Sequence, residues 1–209
     1  MIMKMGFFFL LGLSLGFGQT VNCLVAVVNG QAVTLTDVQI IVEFGLYTGS
    51  PAGTKRDPKW IALDTLIDRK VVLEVTRGPA GAEKEEAGRA LDFLREDLGR
   101  EEFARRLRKF GLLESDLLPY LEEKILYDRA VIMRFNQNVP VSRTDVEKYY
   151  RDVYVPEQER LGVSASPLSE VMAIIETRIR ERNRAGQVAA WVTGLRERAE
   201  IQIKPDCLK

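Results

Sequence analysis

The 209-residue chain contains no histidine. That absence excludes Ser-His-Asp and Cys-His nucleophile systems, imidazole acid–base catalysis and histidine-ligated zinc or iron. Carboxylates, lysines and tyrosines remain as groups that could do chemistry. The carboxylates stand in helical ladders, with Glu85 before Arg89, Glu101 before Arg105 and Glu102 before Arg106. Such spacing makes exposed ion pairs, not the separated acid and base of a glycosidase. Gly45, Gly49 and Gly53 lack the Lys-Ser/Thr continuation of a phosphate-cradling loop. Two cysteines, Cys23 and Cys207, are too few for a structural zinc site. They are either two free thiols or one disulfide. Thr20-Val21-Asn22 before Cys23 lack the leucine and the small residue of a lipid-attachment signal. No catalytic, metal-binding or cofactor-binding residue is therefore expected.

Thirty basic residues balance 30 acidic ones. A protein that grips phosphates normally carries a clear positive excess, so nucleic acid is not an expected partner. With 46% apolar and 29% charged residues, the chain should fold in water rather than stay disordered or fill a membrane. Residues 1–18 differ from the rest: Lys4 precedes an apolar run from Met5 to Leu13. That run is shorter than the roughly 20 residues of a bilayer-spanning helix and reads as a secretory signal peptide, with an uncleaved anchor or a buried core helix as the other readings. Gly16 and Gly18 favour a cut before Gln19. No stable membrane insertion is expected after that cut, and the mature chain enters an oxidising compartment.

The elements follow from periodicity. Leu24–Thr34 holds two β-prone runs around Asn29-Gly30, a hairpin signal, and Thr36 is placed to cap the next helix. A loop follows from Tyr47 to Pro58. Further helices are expected over Pro58–Arg77, Glu83–Gly99, Glu101–Gly111 and Ser115–Asn136, the last with Ile132 inward and Tyr127 near its edge. Another starts at Ser142 and ends near Tyr154. Residues 155–167 read as a linker, and two helices close the chain over 168–183 and 184–198. Ile201-Gln202-Ile203 alternates like a strand and is the one available partner for the hairpin. If Val27 faces Ile203 in an antiparallel pair, Cys23 falls opposite Cys207, and geometry permits a bond. The expected fold class is mainly α, with a small antiparallel sheet formed by an N-terminal hairpin and the C-terminal strand.

In this arrangement the sequence resembles the SurA family of periplasmic chaperones. The resemblance is carried by VAVVNGQAVTLTDV (25–38), LIDRKVVLEV (66–75), the stretch from EEFARRLRKF to AVIMRF (101–135), VPVSRTDVEKYY (139–150) and AAWVTGLRERAEIQIK (189–204). Each block is degenerate alone, and their order is what makes the match specific. The family usually inserts parvulin isomerase domains before the final helix. Here only residues 155–167 remain, far too few for such a domain. The resemblance implies a signal peptide at 1–18, a chaperone region at 19–154, a linker at 155–167 in place of the isomerase, and 168–209 completing the same domain.

The implied activity is client holding without catalysis or ATP. The implied partners are unfolded or nascent envelope proteins, and the implied location is the periplasm. A client would be held in an apolar groove that mixes aromatic contacts with hydrogen-bonding groups. Candidate contact residues are Phe44 and Tyr47 at the loop, Phe110 and Tyr120 across the helical turn, and Tyr149, Tyr150 and Tyr154 before the linker. A non-catalytic module binding one folded envelope partner is the alternative.

Overall fold

The computed structural model describes residues 22–47, 56–76, 83–136 and 140–208. The expected signal peptide, the cut before Gln19 and most of the loop over Tyr47–Pro58 lie outside the described residues.

Strands β1 (Leu24–Val28) and β2 (Gln31–Thr34) form the expected hairpin. At its turn Asn29 and Gly30 both adopt positive φ, 47° and 79°, the pair that matches a tight turn to the twist of its strands. Strand β3 (Ile201–Ile203) pairs antiparallel with the other edge of β1, giving the order β2-β1-β3. The amino- and carboxy-terminal ends of the described chain therefore meet in one sheet.

The register differs from the expectation by one residue: Ile203 lies opposite Ala26, and Val27 opposite Gln202. Every β1 position is apolar, so alternation could not say which face turns inward, and a one-residue slip was open. Continued strictly, the ladder would place residue 206 opposite Cys23. A 3-10 turn over Pro205–Leu208 takes up the difference and brings Cys207 to a Cα–Cα distance of 6.2 Å from Cys23, in a disulfide.

Helix α1 (Leu35–Glu43) is capped by Thr34 rather than Thr36. Thr34 leaves the strand in extended geometry, so its hydroxyl reaches the Asp37 amide while the Asp37 carboxylate takes the Thr34 amide, a reciprocal capping box. Thr36 is inside the helix and gives its hydroxyl to Asn22 Oδ1 at 2.9 Å. Helix α2 (Pro58–Val75) begins with proline in its first turn, where no N–H is needed. It buries Leu63, Leu66, Ile67, Val71 and Val72. Helices α3 (Glu83–Leu98) and α4 (Arg100–Phe110) follow, then a 3-10 turn at Glu114–Leu117 and helix α5 (Leu118–Phe135). The basic run on α4 is spent internally: Arg105 and Arg106 take Glu102, and Lys109 takes Glu43 of α1. On α5, Tyr127 is buried and Ile132 is exposed, the reverse of the expected roles.

Helix α6 (Arg143–Tyr149) does not stop at the expected linker. A π-helical turn over Tyr150–Tyr154 carries it into α7 (Val155–Arg160), so residues 155–160 are helical and only 161–167 are not. Pro156 has no N–H to donate backwards, and the widened turn before it is where the ladder adjusts. The chain then turns at Gly162, whose φ is +71°. The two helices expected next are one, α8 (Leu168–Arg196), 29 residues long.

Two apolar cores result. The larger takes in the sheet, α1–α5 and the carboxy-terminal half of α8 through Val192 and Leu195. The smaller joins Val146 and Tyr154 to Val171, Ile175 and Ile179 of the amino-terminal half of α8. Between the two, residues 181–187 of α8 are exposed on every side. Helix α8 thus contributes to both cores.

Candidate functional site

The expected contact residues are not gathered in one place. Phe44 is 3% exposed and packs edge-on against Phe103 with ring centroids 6.0 Å apart, so it is a core residue and not a contact for clients. Tyr154 is buried in the smaller core and stacks on Tyr150 at 5.6 Å. Tyr150 is half-buried and donates to the Ser166 carbonyl at 2.9 Å. Tyr149, also half-buried, lies under the Arg182 guanidinium. These three tyrosines are therefore brought together, as the packing of the smaller core. Tyr120 donates to Asp37 Oδ1 at 2.6 Å, and burial together with that bond raises its phenol above the ordinary range. Tyr47 is half-buried against the larger core, and Phe110 is half-buried beneath the Lys109 amine.

The open apolar surface lies elsewhere, where α2, α5 and α8 converge. Along α2, Val71, Val72 and Val75 continue one inward stripe, but the helix outruns the core it covers, and Val75 at its last position is 58% exposed. The end of α5 does the same. Its Ala-Val-Ile-Met-Arg-Phe run is apolar on more than one face, leaving Met133 78% exposed. Trp191 of α8 stands between them, edge-on to Phe135 with centroids 5.5 Å apart. The Arg134 guanidinium lies over both rings, 5.0 Å from Trp191 and 5.8 Å from Phe135.

These side chains border two adjoining hollows of about 640 and 620 Å³. Glu74, Val75, Thr76, Arg134 and Trp191 are common to both, which makes them lobes of one groove. One lobe extends to Leu126 and Met133, the other to Asn29 of the hairpin turn and Arg198. Size and chemistry suit apolar side chains of an extended polypeptide, with polar groups at the rim for its backbone. Sequence reasoning missed Val75, Met133 and Trp191. The signal available was helix ends that stay apolar on several faces, with a methionine at one of them.

A second cluster, between α2 and α8, is structural. Arg196 binds Asp64 and Asp68, each at 2.9 Å, and Arg56 binds Asp64 at 2.7 Å. Beside them Arg69 is fully buried, donating from Nη2 to the Leu46 carbonyl while Nε and Nη1 find no partner among the described residues. Burial lowers its pKa below the usual guanidinium range. Burial also pushes the Asp68 carboxyl up to about 6, outweighing the pull of Arg196.

A carboxyl with a raised folded-state pKa binds its proton more tightly in the folded chain, so this group favours folding more as pH falls from about 6 towards 4. Asp68→Asn, which cannot titrate, is therefore expected to compare better with the parent at pH 7.5 than at pH 5, by on the order of 1 kcal/mol. Urea unfolding of both proteins at the two pH values measures this. Equal differences at both would remove the assignment.

No metal-holding group of three or more histidine, cysteine or acidic side chains is found among the described residues. No helix there is long and apolar enough to cross a membrane. Compared with known proteins, the chain matches no family model and no curated protein, so its activity has to be argued from the groove.

Proposed function

We propose that the protein is an exported, ATP-independent holdase that keeps unfolded envelope proteins, outer-membrane barrels among them, from aggregating in the periplasm. The observation that carries the reading is the groove bordered by Val75, Met133 and Trp191, apolar surface left uncovered at the ends of three helices. Unfolded barrel strands alternate apolar with polar residues, and this groove offers apolar walls with a polar rim. Met133 adapts its shape to different side chains, which suits clients of varied sequence. Ordering a flexible client opposes binding, so each contact is weak and release needs no nucleotide. The signal-like residues 1–18 and the family resemblance support export and the chaperone role.

The test is light scattering from an unfolded barrel protein diluted out of denaturant. The mature chain is expected to suppress aggregation at near-stoichiometric ratio. Val75→Glu with Met133→Glu should weaken that suppression about threefold or more, while stability moves by no more than about 0.5 kcal/mol, as for other exposed positions. A mature protein that leaves aggregation unchanged defeats the reading. Pull-downs returning one folded, stoichiometric partner and no unfolded clients would replace it with a dedicated interaction module.

A further inference from the structure

We propose that the groove selects extended, unfolded segments in which side-chain carboxylates are interspersed with aromatic or long aliphatic residues. Arg134 and Arg198 receive the carboxylates, and Trp191, Val75 and Met133 receive the apolar groups. This rests on the holdase reading and adds a chemical preference to it.

The whole chain is neutral, yet among the described residues the groove lining carries Arg129, Arg134 and Arg198 against the one carboxylate Glu74. Arg129 is engaged by Glu86 at 2.9 Å. Glu74 already accepts from the Asn29 side chain. Arg134 and Arg198 have no carboxylate partner among the described residues, although arginines nearby are committed, as Arg196 is to Asp64 and Asp68.

The posture of Arg134 strengthens the case. Its guanidinium lies over the rings of Trp191 and Phe135. A guanidinium held against ring faces by cation–π attraction keeps N–H donors of its planar fork available to meet a carboxylate with two parallel bonds. A carboxylate bound there would set its flanking side chains beside Trp191 and Val75. The carboxy-terminal ends of α2 and α5 also open on the groove, each with about half a negative charge that fades within a turn. Arg134 stands in the last turn of α5 and meets one of them. At contact distance the full charge of each arginine exceeds these partial charges.

Three acetylated and amidated peptides separate the possibilities, each alternating Phe and Leu with Glu, Gln or Lys, so that no terminal carboxylate competes. Binding to the mature protein is read by anisotropy of a labelled peptide. The Glu peptide is expected to bind about fivefold or more tightly than the Gln peptide at low salt, and the Lys peptide more weakly than either. The preference should collapse in about 0.5 M salt. Arg134→Gln with Arg198→Gln should erase the preference, bringing the Glu and Gln peptides to within about twofold of one another; circular dichroism confirms that the variant is folded. The peptide series on the parent protein stands without that variant.

Equal binding of Glu and Lys peptides overturns the proposal and leaves the holdase reading in place, as does a preference that survives the double substitution. If no peptide binds while aggregation is still suppressed, the groove is not the contact surface and the proposal falls alone. If suppression is absent as well, both fall.

Discussion

Replacing both Cys23 and Cys207 by serine is expected to lower the unfolding free energy of the protein by about 5 kcal/mol, the upper end of what a single cross-link contributes. The two residues are 184 apart in sequence, so their bond closes residues 23–207 into one long loop. The stabilisation comes from the unfolded ensemble, which loses the entropy of two free ends. It grows only logarithmically with loop length, and this loop is long. Folded domains are stable by about 5–15 kcal/mol, so much of the total is at stake. Urea unfolding of the oxidised parent, the reduced parent and the double serine variant measures it. The last two should coincide at a lower midpoint. Coincidence of all three would show that the sheet holds the ends together without the bond.

Phe44→Ala is expected to cost about 3–5 kcal/mol, the range for emptying a large aromatic site in a packed core. Phe44 is buried and braced edge-on by Phe103, with α1 on one side and α4 on the other. Truncation leaves a cavity that rigid helices cannot close. The deciding comparison sets the urea midpoint against aggregation suppression at a temperature where the variant remains folded. A large stability loss with normal suppression per folded molecule fits a core residue. Unchanged stability with lost suppression would return Phe44 to the contact surface.

Much of the fold was legible because local chemistry and global packing agree there. Asn29-Gly30 specified the hairpin through backbone preference alone. The pairing of β1 with β3 followed from the need of a lone hairpin for a partner. The register was not legible, because a strand apolar at every position fits either face. The cap at Thr34 required knowing that the strand runs directly into the helix and places Asp37 at its third position.

The apparent linker at 155–160 and the apparent break near Asn183 misled for one shared reason. Both stretches lack an apolar stripe, and periodicity detects a helix only where it packs. Residues 181–187 are helical yet exposed, with the Arg182 side chain lying over Tyr149, so nothing in their pattern announces a helix. The groove was hidden differently. Aromatic residues near loops drew attention, whereas Val75 and Met133 became accessible because helices overshoot the core they cover. That overshoot depends on how three elements of unequal length meet.

The solvated stretch of α8 also turns one helix into a lever. From Gly186 to Leu168 the rod measures about 27 Å at 1.5 Å per residue. A bend of only about 10° at that glycine would swing the far tip by about 5 Å, about one strand spacing.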